Sequence, residues 1–339
     1  MTERNIGWAI IGCGRVVDRR VAPAIRRAEG AELVGFCSRD LIRAGEFAGR
    51  HEARRAYGTI EEIFRDADVE AVYIATPNAL HADQAIACLE AGRNVLVEKP
   101  LAVSAAEARR MSDAAQRAGR ILSVMHQQRF HPANLHLLRL LDDGALGRPL
   151  IIRAQIGIWY PPNGNWRLDR AVSGGGAAID LAPHAVDMAI EVGGPAARVS
   201  AIGANLNFKY GVEDFCHMRL EFARGAIGLI EMSYCAHAYG GRLEVYGSRG
   251  TFIADGSLQQ AAFYRTALRH EGDNSATETV EDSYPHVFAD AIEDFSDAIR
   301  DRRPPTVTIA DAIDVMEIID AAYESARTGA AISLPASRI

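Results

Sequence analysis

Over the first 125 residues, five short apolar runs alternate with stretches of helical spacing, and this alternation constrains the fold more than any other feature of the chain. The runs are Ile6 to Ile11, Leu33 to Phe36, Ala71 to Ala75, Asn94 to Val97 and Ile121 to Met125. Helical spacing fills 15–28, 40–50, 79–91 and 104–119, the last opened by Ser104 with Glu107 three residues on, the pattern of a capping box. Strands separated by helices return to one sheet through right-handed crossovers, so this half reads as a doubly wound parallel sheet.

Beyond Met125 the pattern changes. A helical stretch, His131 to Leu141, leads into an apolar run at Leu150 to Trp159, and a second helix follows the glycines at 174–176. From Ala197 to Tyr264 the spacing suggests about six strands, with Gly211, Gly225, Gly240, Gly241, Gly247 and Gly250 near the turns. Helices at 286–302 and 308–328, separated by Pro304-Pro305, close the chain. The expectation is an α/β protein with a domain over 1–125 and an α+β domain over 126–339 built on a large, mostly antiparallel sheet.

The 339 residues carry 48% hydrophobic and 24% charged side chains, which excludes a disordered or collagen-like chain. A net charge of −7 argues against nucleic acid or an anionic membrane as partner. Five cysteines, Cys13, Cys37, Cys88, Cys216 and Cys235, are scattered without a C-x-x-C pair, as in a reducing compartment. The N-terminus passes directly into an apolar strand, and no apolar run approaches the ~20 residues of a membrane helix, so the cytoplasm is the expected location. Ten histidines offer no close ligand pair, and no metal is expected.

Gly12-Cys13-Gly14-Arg15-Val16 follows the first strand and supplies two glycines of a dinucleotide fingerprint, one for the tight turn and one for close approach of a pyrophosphate. Val17 stands where the third Gly or Ala belongs, and is expected to push the first helix slightly off the pyrophosphate. The second strand ends in Cys37-Ser38-Arg39-Asp40, with no acid at its tip to receive a ribose 2′-hydroxyl. Ser38, Arg39 and, four residues on, Arg43 suit a 2′-phosphate, so NADP is favoured with NAD possible; equally, Ser38 or Asp40 could be a helix cap with solvated arginines. Ala75-Thr76-Pro77-Asn78 and Glu98-Lys99-Pro100 close two further strands at the carboxyl edge, where such sheets bind ligands; from position alone Lys99 is equally a crevice ammonium or an exposed loop lysine. Asp180 and His184 follow Gly174-Gly175-Gly176 and are four apart, which places a carboxylate and an imidazole on one helix face for proton exchange. The three glycines would let that helix start approach a ligand closely. An acidic cap with a surface histidine is the alternative.

Together these residues resemble the Gfo/Idh/MocA family of NAD(P)-dependent oxidoreductases, most closely its anhydro-fructose reductase branch. The specific features are Glu98-Lys99-Pro100 ending a strand, then GGGAAIDLAPH from Gly174, with the ATPN turn, His81, Trp166-Arg167 and the closing helices before Gly329. The resemblance implies an N-terminal Rossmann domain, Lys99 polarising the reacting oxygen, His184 as general acid/base, and Asp180 orienting substrate hydroxyls or His184. Cofactor contacts are implied at Gly12, Gly14, Arg15, Val16, Ser38, Arg39, Arg43, Thr76, Pro77, Asn78, His81, Glu98, Lys99, Trp166, Arg167 and Tyr284. Met125 stands where that branch often has a polar residue. The expected activity is NADP-preferring hydride transfer to or from the carbinol or carbonyl carbon of a sugar, polyol or related cyclic substrate, in a homodimer or homotetramer. The same fold also hosts NAD-dependent glycoside hydrolases and dinucleotide-binding sensors.

Overall fold

The computed structural model describes residues 4–259, 263–272, 277–282 and 286–335. They form two compact units, Met1–Gln127 with His286–Ile313 and Gln128–Pro285 with Asp314–Ile339.

In the first unit, strands β1 (Ile6–Ile11), β2 (Ala31–Cys37), β3 (Arg55–Tyr57), β4 (Ala71–Ile74), β5 (Asn94–Val97) and β6 (Leu122–Val124) alternate with helices. The helices are α1 (Ala22–Arg27), α2 (Leu41–Arg50), α3 (Ile60–Arg65), α4 (His81–Glu90) and α5 (Ala105–Ala118). Among the described residues the sheet is all parallel, in the order β3-β2-β1-β4-β5-β6, so the direction in which strands are added reverses between β1 and β4. Helices cover both faces, and every residue of β1, β4 and β5 is buried, which is why these strands read as continuous apolar runs. The register pairs Ile11 with Ile74 and Ile74 with Val97. The loops after β1, β4 and β5 therefore leave the sheet at one edge, as the sequence reading required.

The helix after β1 takes in Val17 by winding wide: Val17–Val21 form a π turn in which the Ala22 N–H bonds to the Val17 carbonyl, and Val17 is fully buried. Ser104 caps α5 as expected, accepting from the Glu107 N–H at 3.3 Å. Strand β3, three residues at the sheet edge, and α3 beside it were not legible in the sequence.

The second unit contains α6 (Pro132–Asp142), β7 (Pro149–Trp159), α7 (Arg170–Ser173), α8 (Ala177–Gly193), β8 (Ala196–Ala204), β9 (Phe215–Phe222) and β10 (Ile227–Ser233). It continues through β11 (Cys235–Gly247), β12 (Gly250–Asp255), β13 (Phe263–His270) and β14 (Thr277–Asp282). In chain order α9 (Val287–Asp301), which belongs to the first unit, and α10 (Ile309–Thr328), which runs from the first unit into the second, follow, then β15 (Ile332–Ser333). The sheet order is β14-β13-β12-β11-β7-β10-β9-β8-β15, and among the described residues only β7 and β10 pair in parallel. Strict alternation of burial along β9 marks a sheet with one covered face, and α8 packs against β7 and β10. Gly240 and Gly241 lie inside β11, not at a turn as the sequence suggested. A Cβ on Gly241 would stand 2.8 Å from the Gln259 nitrogen, so a passing loop requires the missing side chain. No helix among the described residues is long and apolar enough to cross a membrane.

The change of pattern after residue 125 implies a single boundary with everything beyond it in the second domain, whereas 286–313 packs with the first unit. The reason is α9. Its Phe295 ring lies 5.5 Å from that of Trp8 on β1, and the buried Trp8 indole donates to Ser296 Oγ at 3.1 Å. Ser296→Ala leaves that indole N–H without its acceptor, and is expected to cost about 1–3 kcal/mol, read as a lower urea midpoint with an unchanged m-value.

Candidate active site

The nucleotide half of the site is built at the carboxyl edge of the parallel sheet. Gly12 has φ +108°, and a Cβ there would lie 2.7 Å from the Ala75 carbonyl oxygen, so the turn out of β1 admits only glycine. A Cβ on Gly14 would meet no heavy atom within 4 Å. Its backbone is therefore open to a ligand at the start of a helix, beside a cavity of about 450 Å³ lined by Gly14, Arg15, Asp40, Arg43 and Arg50 among others. Exposed Arg15 and half-buried Val16 lie at that helix start.

Beyond β2, Ser38 Oγ accepts from the Asp40 N–H at 3.2 Å, and Asp40 Oδ1 accepts from the N–H groups of Ile42 and Arg43 at 3.1 and 3.2 Å. Asp40 is thus the N-cap of α2, one of the two roles its position allowed. Arg43 is tied to the glycine turn, its Nε donating to the Cys13 carbonyl at 2.9 Å. Arg39 is exposed and makes no hydrogen bond or ion pair with the described residues. The cradle at Gly14 and the cationic edge fit a dinucleotide bearing phosphate.

The next two loops brace each other. Thr76 Oγ1 donates to Gln84 Oε1 at 2.7 Å, Pro77 precedes the turn, and Asn78 is buried. The ring nitrogens of His81 lie 2.9 Å from the carbonyl oxygens of Pro100 and Thr76, and burial pushes its pKa down. His81, a candidate cofactor contact, thus has both nitrogens directed at main chain and acts by holding the two loops together. Glu98 is likewise turned inward: Tyr73, a fully buried phenol kept neutral by burial and the adjacent carboxylate, donates to its Oε1 at 2.7 Å. Lys99 follows, half-buried, with a cis peptide to Pro100. Met125 is completely buried.

The second unit carries the proton-handling candidates. Asp180 sits in the first turn of α8 and His184, 8% exposed, one turn later. The buried Tyr234 phenol donates to Asp180 Oδ2 at 2.8 Å, and Arg167 Nε stands 3.7 Å from Oδ1 with its guanidinium 4.6 Å from the Trp166 ring centroid. The structure thus brings Arg167, a candidate cofactor contact, to Asp180. Asp187, farther along α8, is engaged with Arg129, whose Nε and Nη2 lie 2.7–3.0 Å from its oxygens. Tyr284 lies outside the described residues. No cluster of three potential metal ligands occurs among the described residues.

The start of α8 corrects the reason given for its glycines. A Cβ on Gly175 would fall 1.9 Å from the Tyr323 hydroxyl, and one on Gly176 would fall 2.0 Å from the Glu213 carbonyl oxygen, so both are required by protein packing. Glu213 Oε1 accepts from the N–H groups of Gly176 and Ala178 at 3.0 and 3.1 Å and from Tyr323 Oη at 2.9 Å. A carboxylate contributed from 37 residues away thus caps the helix and complements its dipole. Sequence reasoning missed Glu213 and Tyr234, because neither stands near its partner in the chain.

A doubly wound unit with a glycine turn at its first crossover, joined to an α+β unit that bears an Asp/His pair on a helix, defines a dinucleotide-dependent oxidoreductase. The chain belongs to the Gfo/Idh/MocA family of oxidoreductases. Residues 6–126 match the model of the oxidoreductase family with an NAD-binding Rossmann fold, and residues 135–253 match the GFO/IDH/MocA C-terminal domain. The chain is 30% identical to 1,5-anhydro-D-fructose reductase of Ensifer adhaerens over 331 residues, covering 96% of this chain and 98% of that one. It is 31% identical to D-xylose 1-dehydrogenase (NADP(+)) 2 of Haloferax volcanii, covering 96% and 99%. Levoglucosan dehydrogenase in complex with NADH and levoglucosan superposes with a TM-score of 0.89 at 25% identity, covering 98% and 100%.

Glu213→Ala strips the acceptor from two helix N–H groups and a buried phenol, and is expected to cost about 2–4 kcal/mol in chemical unfolding. Arg170 stands 3.7 Å from Glu213 Oε2 with a side chain 57% exposed, so Arg170→Ala should change stability by less than about 1 kcal/mol.

Proposed function

We propose that the protein is an NADP-preferring dehydrogenase or reductase acting on the carbinol or carbonyl carbon of a sugar, polyol or related cyclic substrate. The observation that carries this reading is the pair Asp180 and His184, one turn apart on a helix whose start is capped by a buried carboxylate. A bound nicotinamide supplies or receives the hydride. In the oxidative direction His184 takes the hydroxyl proton as the carbonyl forms, and in reduction it returns that proton. Asp180 orients the imidazole or accepts from a substrate hydroxyl, while the Lys99 ammonium stabilises negative charge developing on the reacting oxygen. Gly12, Gly14, Arg15 and Val16 would receive the pyrophosphate at the helix start, and Ser38, Arg39 and Arg43 the adenosine ribose. Thr76, Pro77, Asn78 and the Trp166-Arg167 pair complete the proposed cofactor contacts.

Support for a sugar-like substrate comes from relatives named for 1,5-anhydro-D-fructose and D-xylose, and from a solved relative holding levoglucosan. For the cofactor, the xylose relative is named for NADP(+) and the levoglucosan relative holds NADH. The preference for NADP rests on this chain's own residues: Asp40 is spent as a helix cap, and Arg39 is exposed beside it without a partner among the described residues. A homodimer or homotetramer is the proposed assembly, to be read by light scattering on the same preparation.

The test follows nicotinamide absorbance with D-xylose or levoglucosan plus NADP+ or NAD+, and with 1,5-anhydro-D-fructose plus NADPH or NADH. Net oxidation or reduction is expected, faster with the phosphorylated cofactor. Glycoside cleavage without net cofactor change would overturn the reading, as would binding without turnover. Arg39→Ala is expected to weaken NADPH binding by roughly tenfold or more in fluorescence titration and to leave NADH almost unchanged. Equal losses would remove Arg39 from the site. His184→Ala and Lys99→Ala should each lower kcat by at least about a hundredfold while cofactor affinity and Tm stay near wild type.

A further inference from the structure

Tyr234 joins β10 to β11, and its main chain is fixed on both sides: its N–H donates to the Asp214 carbonyl at 2.7 Å and its carbonyl accepts from the Tyr160 N–H at 2.8 Å. The side chain is fully buried, with its ring centroid 5.1 Å from that of Tyr160. Burial, with the neighbouring Asp180 carboxylate, holds the phenol proton on well above the usual range, so the group remains a donor wherever the enzyme works. A phenol buried this deeply needs an acceptor. The acceptor it has is Asp180 Oδ2, at 2.8 Å.

Resting on the reading of Asp180 and His184 as the proton-handling pair, we propose that Tyr234 is a positioning residue for that pair. Its hydroxyl holds the Asp180 carboxylate ionised and in one orientation, with Oδ2 taken by the phenol and Oδ1 turned toward Arg167. The phenol and the guanidinium divide this work unequally. Arg167 is about one-third exposed and stands 3.7 Å away, beyond hydrogen-bond distance, so its attraction is screened by water. Tyr234 acts at 2.8 Å from a site without solvent, where a hydrogen bond to a charged group is strongest and is formed before substrate arrives. The titratable and charged groups set around Asp180 include Tyr234 and Arg167, with Tyr160 behind Tyr234, His184 one turn along α8 and Glu213 at the helix cap. Tyr234 is a neutral donor in direct contact with the carboxylate.

The experiment is Tyr234→Phe, which removes one oxygen and keeps the ring in its place. With aspartate carboxyls labelled with ¹³C, the Asp180 resonance is identified by its loss in Asp180→Asn and followed against pH in the protein without substrate. A donor to the charged form depresses a carboxylate pKa, so its removal should raise the titration midpoint by about one pH unit. An unchanged midpoint in a folded variant would overturn the proposal, whatever the substrate proves to be. In turnover of D-xylose with NADP+ or of 1,5-anhydro-D-fructose with NADPH, Tyr234→Phe should lower kcat about tenfold or more and move the acid limb upward by a matching amount. Adding Tyr234→Phe to Asp180→Asn should then cost little more than Asp180→Asn alone. Multiplicative losses would mean that Tyr234 acts elsewhere. If the midpoint shifts while no sugar is turned over, the proposed function fails and the positioning role stands. If Asp180→Asn and His184→Ala are inactive while Tyr234→Phe keeps the wild-type midpoint and pH profile, the positioning role fails alone.

Discussion

The Glu213 carboxylate governs where α8 begins, and the chemistry assigned to that helix depends on its beginning there. The first N–H groups of any helix lack partners inside it. In α8 they lie against a carboxylate that is itself almost wholly buried, with the Tyr323 hydroxyl as a third donor on the same oxygen. So close an approach leaves no room for a side chain at residues 175 and 176. The glycines, the carboxylate and the phenol are therefore one device. Rotating or sliding α8 would break the bonds from the Gly176 and Ala178 N–H groups to that carboxylate and from the Ala177 N–H to the Glu213 carbonyl, and push main chain into main chain, so Asp180 and His184 are held before any ligand arrives.

The nucleotide half uses the opposite economy. There the loops at the strand ends leave backbone and cationic groups toward solvent, and their internal bonds serve to hold the loops in shape. Asp40 closes the start of α2, Arg43 clasps the Cys13 carbonyl, and His81 spans Thr76 and Pro100. Each of these side chains had a place in a motif that the sequence associates with the cofactor, yet each is bonded to the protein's own backbone. Open toward solvent are the space before Gly14 and the exposed side chains of Arg15 and Arg39. A site of this kind is held in shape by side chains bonded to the protein's own backbone.

This difference explains what could be read in the sequence. Strands buried on both faces, such as β1, β4 and β5, announce themselves as apolar runs, and the glycine turn after β1 has a local stereochemical cause in Gly12. The Asp180 to His184 spacing is equally local, since one helix carries both. Strand β3 was not legible because three residues at a sheet edge, Arg-Ala-Tyr, carry no periodicity. The placement of 286–313 escaped because an amphipathic helix shows that it has a partner, and not that the partner is Trp8. Glu213 and Tyr234 escaped for the same reason: each works through a contact spanning 35 residues or more, and nothing in their neighbourhood differs from an ordinary strand or loop.

The rest of α8 shows why a helix so apolar nevertheless carries buried ionisable groups. Asp187 is fully buried and shares Arg129, itself 5% exposed, with the partly exposed Glu191, whose Oε1 lies 2.6 Å from Nη1. Removing the Arg129 and Asp187 charges from water is costly, and a well-packed apolar substitute is often no less stable, so stability alone does not account for this pair. Direction does. Apolar packing against β7 and β10 tolerates small rotations of a helix, because dispersion contacts are many and individually weak. An arginine with Nε and Nη2 on Asp187 and Nη1 on Glu191 does not, since its planar fork meets carboxylate oxygens only within a narrow range of angles. Asp187 stands three residues beyond His184, so the angle that suits Arg129 also sets the angle at which the imidazole leaves the helix. Together with the Glu213 cap and the Tyr234 phenol, this pair ties α8 at successive turns by polar contacts.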